Sequence, residues 1–264
     1  MLKPRIIPCL LIHNGGVVKT EQFKNPKYIG DPINTARIFN EKNVDELMVL
    51  DIDASVNNVS PNFELIAKLA SECRMPLCYG GGIRTTEHAV RLVSMGVEKI
   101  ALSSAALEDP SLITRISETV GSQSVVAVLD VRKRRGLFLS GYEVCTHNSK
   151  ISHKYDPSVL ALKFQEAGAG EIVINSVDRD GLMQGFDIKL ASEIKKVLKI
   201  PLTVLGGAGS LENIANLFED IGLVGAAVGS LFVFKGKYRA VLINYPSPSE
   251  KSSLFRNLKY NCQG

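Results

Sequence analysis

The sequence has no tryptophan and only four histidines, His13, His88, His147 and His153. None of the four stands at a spacing that gathers metal ligands, so no metal site is read from the chain and no cofactor is called for. Cysteine is sparse and odd in number: Cys9, Cys73, Cys78, Cys145 and Cys262 include no C-x-x-C pair. That excludes a disulfide framework and a thioredoxin-type motif, and it fits a reduced, cytoplasmic protein with Cys9 and Cys78 as core filler. No apolar run approaches the ~18 residues of a membrane span, and the opening residues lack an apolar segment with a small-residue cleavage site; the expectation is a soluble protein, without a membrane partner. Excess charge is small as well. Lys+Arg 31 against Asp+Glu 27 leaves +4, and no basic run is interleaved with aromatics, which speaks against nucleic acid and suits anionic small molecules. The one basic cluster, Arg132-Lys133-Arg134-Arg135, reads as a solvated loop.

What is present is core. With 264 residues, 45% of them hydrophobic, the chain can bury a full interior, and no Pro/Ser-rich linker divides it. Eight short apolar runs begin at Arg5, Glu46, Met75, Glu98, Ser124, Glu171, Ile200 and Ala226. Helix-like stretches separate them, among them Pro32 to Asn40 behind the N-cap Asp31, Asn62 to Glu72, and Pro157 to Ala167. Strands of continuous apolarity alternating with helices predict an α/β fold, a (β/α)8 TIM barrel of about 250 residues with an internal half-barrel repeat. Residues 1–246 are assigned to the barrel and 247–264 to a poorly ordered tail. Thr20 to Pro32 reads as a loop, and Val131 to Tyr155 as a long excursion, a hairpin or mobile loop over the site.

Two glycine-rich loops, Gly80-Gly81-Gly82-Ile83 and Gly206-Gly207-Ala208-Gly209, each follow a strand and precede a helix. Backbone without Cβ atoms, followed by a helix N-terminus, suits phosphate oxygens. With Ser103 and Ser104 beside the first loop, and Gly229 and Ser230 beside the second, two anion cradles would hold a ligand phosphorylated at both ends; the alternative is one phosphate site and one structural copy. Sites of such barrels lie at the C-terminal strand ends, where Lys19, Asp51, Asn175, Asp180 and Gly181 also fall. Lys19 is read against either a phosphate or Asp51, and Asp180 as an acceptor for a ligand hydroxyl or as a turn cap. Either Asp51 or Asp53 orders its loop. Asp130 stands alone at the end of an apolar strand, where burial raises a carboxyl toward a pKa useful in proton transfer; it is the general acid/base candidate.

These residues, with Arg5-Ile6-Ile7-Pro8-Cys9-Leu10, Gly30-Asp31-Pro32, Leu50-Asp51-Ile52-Asp53-Ala54-Ser55, Gly170-Glu171-Ile172 and Asp178-Arg179-Asp180-Gly181, resemble the cyclase subunit of imidazole glycerol phosphate synthase, HisF, over residues 4 to 234. The resemblance implies a barrel that takes ammonia from a partner glutaminase, HisH-like and bound as a heterodimer. The ammonia is added to a bisphosphorylated ribulosyl aminoimidazole carboxamide, and cyclisation and lysis follow, as in histidine biosynthesis. It also implies an ammonia gate of charged side chains at the barrel base, at Arg5, Glu46, Lys99 and Glu171; without the resemblance these read as a stabilising ion-pair ring or solvated charges. The family carries catalytic aspartates at the ends of strands one and five; Asp130 matches the second, and Leu11 stands in place of the first. That departure, and an ending unlike the family's last helix, resembles a divergent branch in which ammonia serves a sugar-modifying amidotransferase of surface-polysaccharide synthesis. A non-catalytic ammonia conduit is the further alternative.

Overall fold

A computed structural model of the chain describes residues 4–134 and 140–255. Eight parallel strands close on themselves: β1 (Arg5–His13), β2 (Leu47–Asp51), β3 (Leu77–Gly80), β4 (Lys99–Leu102), β5 (Val125–Lys133), β6 (Glu171–Ser176), β7 (Leu202–Leu205) and β8 (Gly225–Val228). Each pairs with the next, and β8 returns to β1 with Arg5 opposite Gly225. The expected (β/α)8 barrel is thus the observed one. Among the described residues no helix is long and apolar enough to cross a membrane.

The helices form where the sequence supplies starts and stops. Asp31, Asn62, Thr85, Asp156, Asp187 and Ser210 each cap a helix by accepting a backbone N–H of its first turn, which satisfies a donor that the helix itself cannot. Two apolar layers result. One lies between sheet and helices, with Phe39, Tyr79, Phe164 and Phe218 almost fully buried; the other fills the barrel interior with Ile7, Cys9, Met48, Cys78, Val126, Val128, Val173 and Leu205.

Two excursions leave the barrel, and the first differs from the sequence reading. After β1, the turn at Asn14-Gly15, with φ of 49° and 76°, reverses the chain into an antiparallel strand, Gly16–Glu21; two successive positive φ values are what a tight hairpin of this kind requires. Lys24–Gly30 then pairs as a third strand, although its Lys, Asn and Pro content reads as loop; pairing along the hairpin edge overrides the low strand propensity. After β5 the same plan recurs, with Tyr142–Thr146 antiparallel to β5 and Ile151–Ser152 beyond it. This is the hairpin form of the expected excursion. It also corrects the basic cluster: Arg132 pairs with Glu143 at 2.8 Å and Arg134 donates to the carbonyl of Tyr142 at 3.0 Å, so these cations staple the hairpin, while Arg135 lies outside the described residues.

The tail differs too. A short hairpin joins Phe234–Lys235 to Ala240–Val241, and Pro248–Leu254 is a helix where no order was expected. Ser247 and Glu250 form a reciprocal capping box with Pro248 in the first turn, a start signal written in the sequence. Phe255 packs on Phe218 at 5.8 Å between ring centres, and Lys251 pairs with Asp45. The Tyr245 hydroxyl donates to Ile6 O at 2.8 Å and accepts from Asp45 N at 3.2 Å. Tyr245→Phe leaves both backbone groups unpaired, and thermal melting should show a loss of about 1–3 kcal/mol. Residues 256–264 of the expected tail lie outside the described residues.

Candidate active site

The half-barrel repeat is visible in the strand register. Leu11 faces Leu50 and Leu50 faces Gly80 in the first half; Asp130 faces Asn175 and Asn175 faces Leu205 in the second. Leu11 therefore occupies the half-barrel counterpart of Asp130. Gly81, rather than Gly80, matches Gly206. Both have positive φ, 130° and 96°, and a Cβ would stand 2.7 Å from the carbonyl of Asp51 in one case and Ser176 in the other. Only glycine fits either position. Ser103 and Gly229 match in turn, with φ/ψ of −127°/−92° and −98°/−88°, each opening a short helix, Ser104–Glu108 and Ser230–Val233.

The strand ends enclose one pocket, and all fourteen mouth candidates line it: Lys19, Asp51, Gly81, Gly82, Ser103, Ser104, Asp130, Asn175, Asp180, Gly181, Gly206, Gly207, Gly229 and Ser230. The sequence reading missed Thr20, Arg84, Glu108, His147, Asn148 and Met183, which also line it. Thr20, His147 and Asn148 sit on the two excursions, whose folding back over the mouth no motif announced, while Arg84, Glu108 and Met183 follow β3, β4 and β6.

Asp130 is recessed in this pocket but is not alone. Asn175 Nδ2 donates to its Oδ1 at 3.0 Å. Burial pushes its carboxyl up to about 7, against the opposing pull of the Asn175 hydrogen bond and with a further push from Asp180. Asn175→Leu removes the donor that favours the ionised form, so the carboxyl pKa of Asp130 should climb by about one more unit. A carbon NMR titration of that carboxyl reads the shift directly. The remaining amide oxygen of Asn175 is buried without a partner among the described residues.

Other candidates are bound differently from the sequence reading. Lys19 is buried and donates to Cys9 O, not to Asp51; its Nζ stands 3.0 Å from where a Cβ on Gly229 would be, beside the second cradle. Burial holds its ammonium below the ordinary lysine range. Asp51 accepts from Asp53 N and Ala54 N at 2.9 and 3.1 Å, and Asp53 from His13 and Asn14 N at 2.7 Å each, so both carboxylates order the loop after β2. Asp180 accepts from Thr20 Oγ1 at 2.7 Å and Phe23 N at 3.2 Å. It fastens the first excursion rather than capping its own turn.

At the opposite end of the barrel, Arg5, Glu46, Lys99 and Glu171 meet in a closed ring. Arg5 reaches Glu46 at 2.5 Å and Glu171 at 2.7 Å; Lys99 reaches them at 2.6 and 2.9 Å. Thr203 Oγ1 adds a hydrogen bond to Glu171 at 2.6 Å. The two cations hold the Glu171 carboxyl below its usual range against its burial, which acts the other way. Among the described residues no group of three or more His, Cys, Asp and Glu is placed to hold a metal ion.

Comparison with known proteins places the chain in a family. The model of the family described as "Histidine biosynthesis protein" matches residues 5–239. A protein of Vibrio vulnificus (strain YJ016), provisionally named as an imidazole glycerol phosphate synthase HisF-type subunit, is 55% identical over 251 residues, 95% of this chain and 96% of the relative. A similarly named protein of Pseudomonas aeruginosa is 53% identical over 246 residues, covering 93% and 97%. The imidazole glycerol phosphate synthase subunit HisF of Chlorobaculum tepidum is 39% identical over 235 residues, covering 89% and 92%. The chain belongs to the histidine biosynthesis protein family, among its imidazole glycerol phosphate synthase HisF subunits.

Proposed function

We propose that the chain is the cyclase subunit of an imidazole glycerol phosphate synthase: a lyase that adds ammonia to a bisphosphorylated ribulosyl aminoimidazole carboxamide and releases imidazole glycerol phosphate and the aminoimidazole carboxamide ribotide. The observation that carries the reading is the position of Asp130 between two matched glycine cradles, with burial bringing its carboxyl to about 7. Added ammonia must shed protons as the ring closes, while the expelled oxygen and the leaving amine must gain them. A carboxyl that titrates near the working pH can do both in turn. Gly81, Gly82, Ser103 and Ser104 would seat one phosphate, and Gly206, Gly207, Gly229 and Ser230 the other, with Lys19 adding charge beside the second. The free amide oxygen of Asn175 is the acceptor offered to a ligand hydroxyl.

Leu11 stands where the family pattern has its first carboxylate, so Asp130 carries the proton transfers by itself. The ring of Arg5, Glu46, Lys99 and Glu171 would gate ammonia from a HisH-like glutaminase docked on the barrel base, and the apolar interior above it would carry the neutral molecule toward Asp130. The free thiols of Cys9, Cys73, Cys78 and Cys145 suit a reducing, cytoplasmic setting. The chain incubated with the bisphosphate and an ammonium salt should yield the two products in equal amounts, as read by chromatography. Release of neither product, with phosphate still bound, would leave the non-catalytic conduit as the better account.

A further inference from the structure

The excursion that follows β5 ends in an uncommon turn over the pocket. His147, Asn148 and Ser149 succeed one another at φ of 54°, 54° and 62°, left-handed backbone that residues with a Cβ avoid. The turn is held from two sides. Asn148 Nδ2 donates to Ile52 O at 3.2 Å, and Arg132 Nη1 donates to Ser149 O and Oγ at 3.0 and 3.2 Å. Ile52 follows β2 while the arm leaves β5, so the arm crosses the ends of β3 and β4, which carry Gly81, Gly82, Ser103 and Ser104. There His147 and Asn148 line the pocket with Arg84 and Glu108. His147 Nδ1 lies 3.1 Å from Thr146 Oγ1, which in turn lies 2.8 Å from His153 Nε2; His147 Nε2 has no hydrogen-bond partner among the described residues.

The first half does the same in mirror order. Its arm leaves β1, fastens on Asp180 beyond β6 through Thr20 and Phe23, and so crosses β8 and β7, bringing Lys19 to Gly229. Register makes Thr20 and His147 counterparts, because Leu11 faces Val18 and Asp130 faces Cys145. Each arm covers the cradle of the other half.

We propose that His147 and Asn148 are recognition residues for the ligand end seated in the cradle of Gly81, Gly82, Ser103 and Ser104, a phosphate end. The assignment rests on the bisphosphate reading above and adds two residues to it. A phosphate monoester offers only acceptors at neutral pH apart from its last proton. The imidazole of His147 and the second amide N–H of Asn148 are donors that the fold leaves unspent beside that cradle.

The test uses the full chain, inorganic phosphate as probe, and the paired change His147→Ala with Asn148→Ala, alongside Asn148→Ala singly. Calorimetric titration of the unsubstituted chain should find two phosphate sites. The paired variant should lose at least tenfold in affinity at one site and nothing at the other, with KM for the bisphosphate raised about tenfold and kcat held within threefold. The single variant, which keeps His147, should fall between. Two sites of undiminished affinity with unchanged KM would overturn the proposal, as would equal weakening at both sites, the mark of a disturbed fold. No phosphate bound by the unsubstituted chain would overturn the bisphosphate reading itself and this assignment with it.

Discussion

Asp130→Asn should lower ammonia-dependent turnover by about 10²–10⁴-fold while leaving phosphate binding intact. General acid/base catalysis contributes that range, and in this pocket Leu11 occupies the place where a second carboxylate would share the load. The amide keeps the size of the carboxyl and still accepts from Asn175 Nδ2, so the loss would be one of proton transfer, seen in kcat more than in KM. Stability should move the other way. The folded-state pKa of Asp130 is raised to about 7, so between the ordinary carboxylate range and pH 7 the folded chain binds more protons than the unfolded one, and stability falls as pH rises through that window. Asp130→Asn removes the penalty, and its melting temperature at pH 8 should lie above that of the unsubstituted chain. A gain in stability joined to a loss of turnover is the pattern of a group strained for function.

Glu171→Gln should be the most damaging single change at the barrel base. It leaves Arg5 and Lys99 with one carboxylate between them, Glu46, in a ring where Glu46 and Glu171 are 2% and 4% exposed. Removing one partner of a buried ion pair costs about 3–5 kcal/mol, and at 2–4 °C per kcal/mol the melting temperature should fall by roughly ten degrees. The effect has a pH signature. Because the folded-state pKa of Glu171 is depressed, its contribution is fully present above the ordinary carboxylate range and is lost as pH falls through the lowered value. The gap between variant and unsubstituted chain should therefore close in acid. Lys99→Met separates gate from mere support. In the complex with a glutaminase, a gate that no longer closes should hydrolyse more glutamine than it makes product, whereas a purely stabilising ring would leave the ratio at one.

Much of this was legible in the sequence because it is carried by local pattern. Eight apolar runs without alternation fix strands buried on both faces, and the caps at Asp31, Asn62, Thr85 and Ser210 mark where helices begin. The two glycine loops could be read because a positive φ beside a crowded carbonyl admits no other residue, although only the strand register shows that Gly81, not Gly80, matches Gly206. Charges at strand starts allowed either an ion-pair ring or solvated side chains, since the chain order alone does not show that they meet across a barrel, and the family resemblance added the gate. What escaped depends on contacts between distant segments. Lys24–Gly30 has poor strand propensity and is recruited by hairpin pairing. Lys19 finds the carbonyl of Cys9, and Asp180 finds Thr20, only because an arm folds back over the mouth. Asn175 reaches Asp130 through strand pairing that no spacing in the chain displays. The helix at Pro248–Leu254 is the exception: its capping box is local pattern in the sequence, while the contacts of Tyr245 with Ile6 and Asp45 and of Phe255 with Phe218 that anchor it join distant segments.

The most direct measurement is kcat/KM for the bisphosphorylated ribulosyl aminoimidazole carboxamide as a function of pH, with free ammonia held constant across the series. Turnover by the unsubstituted chain with an ionisation near 7 that disappears in Asp130→Asn is the predicted result. Absence of turnover at every pH, with activity appearing only once Leu11→Asp restores a second carboxylate, would contradict the account.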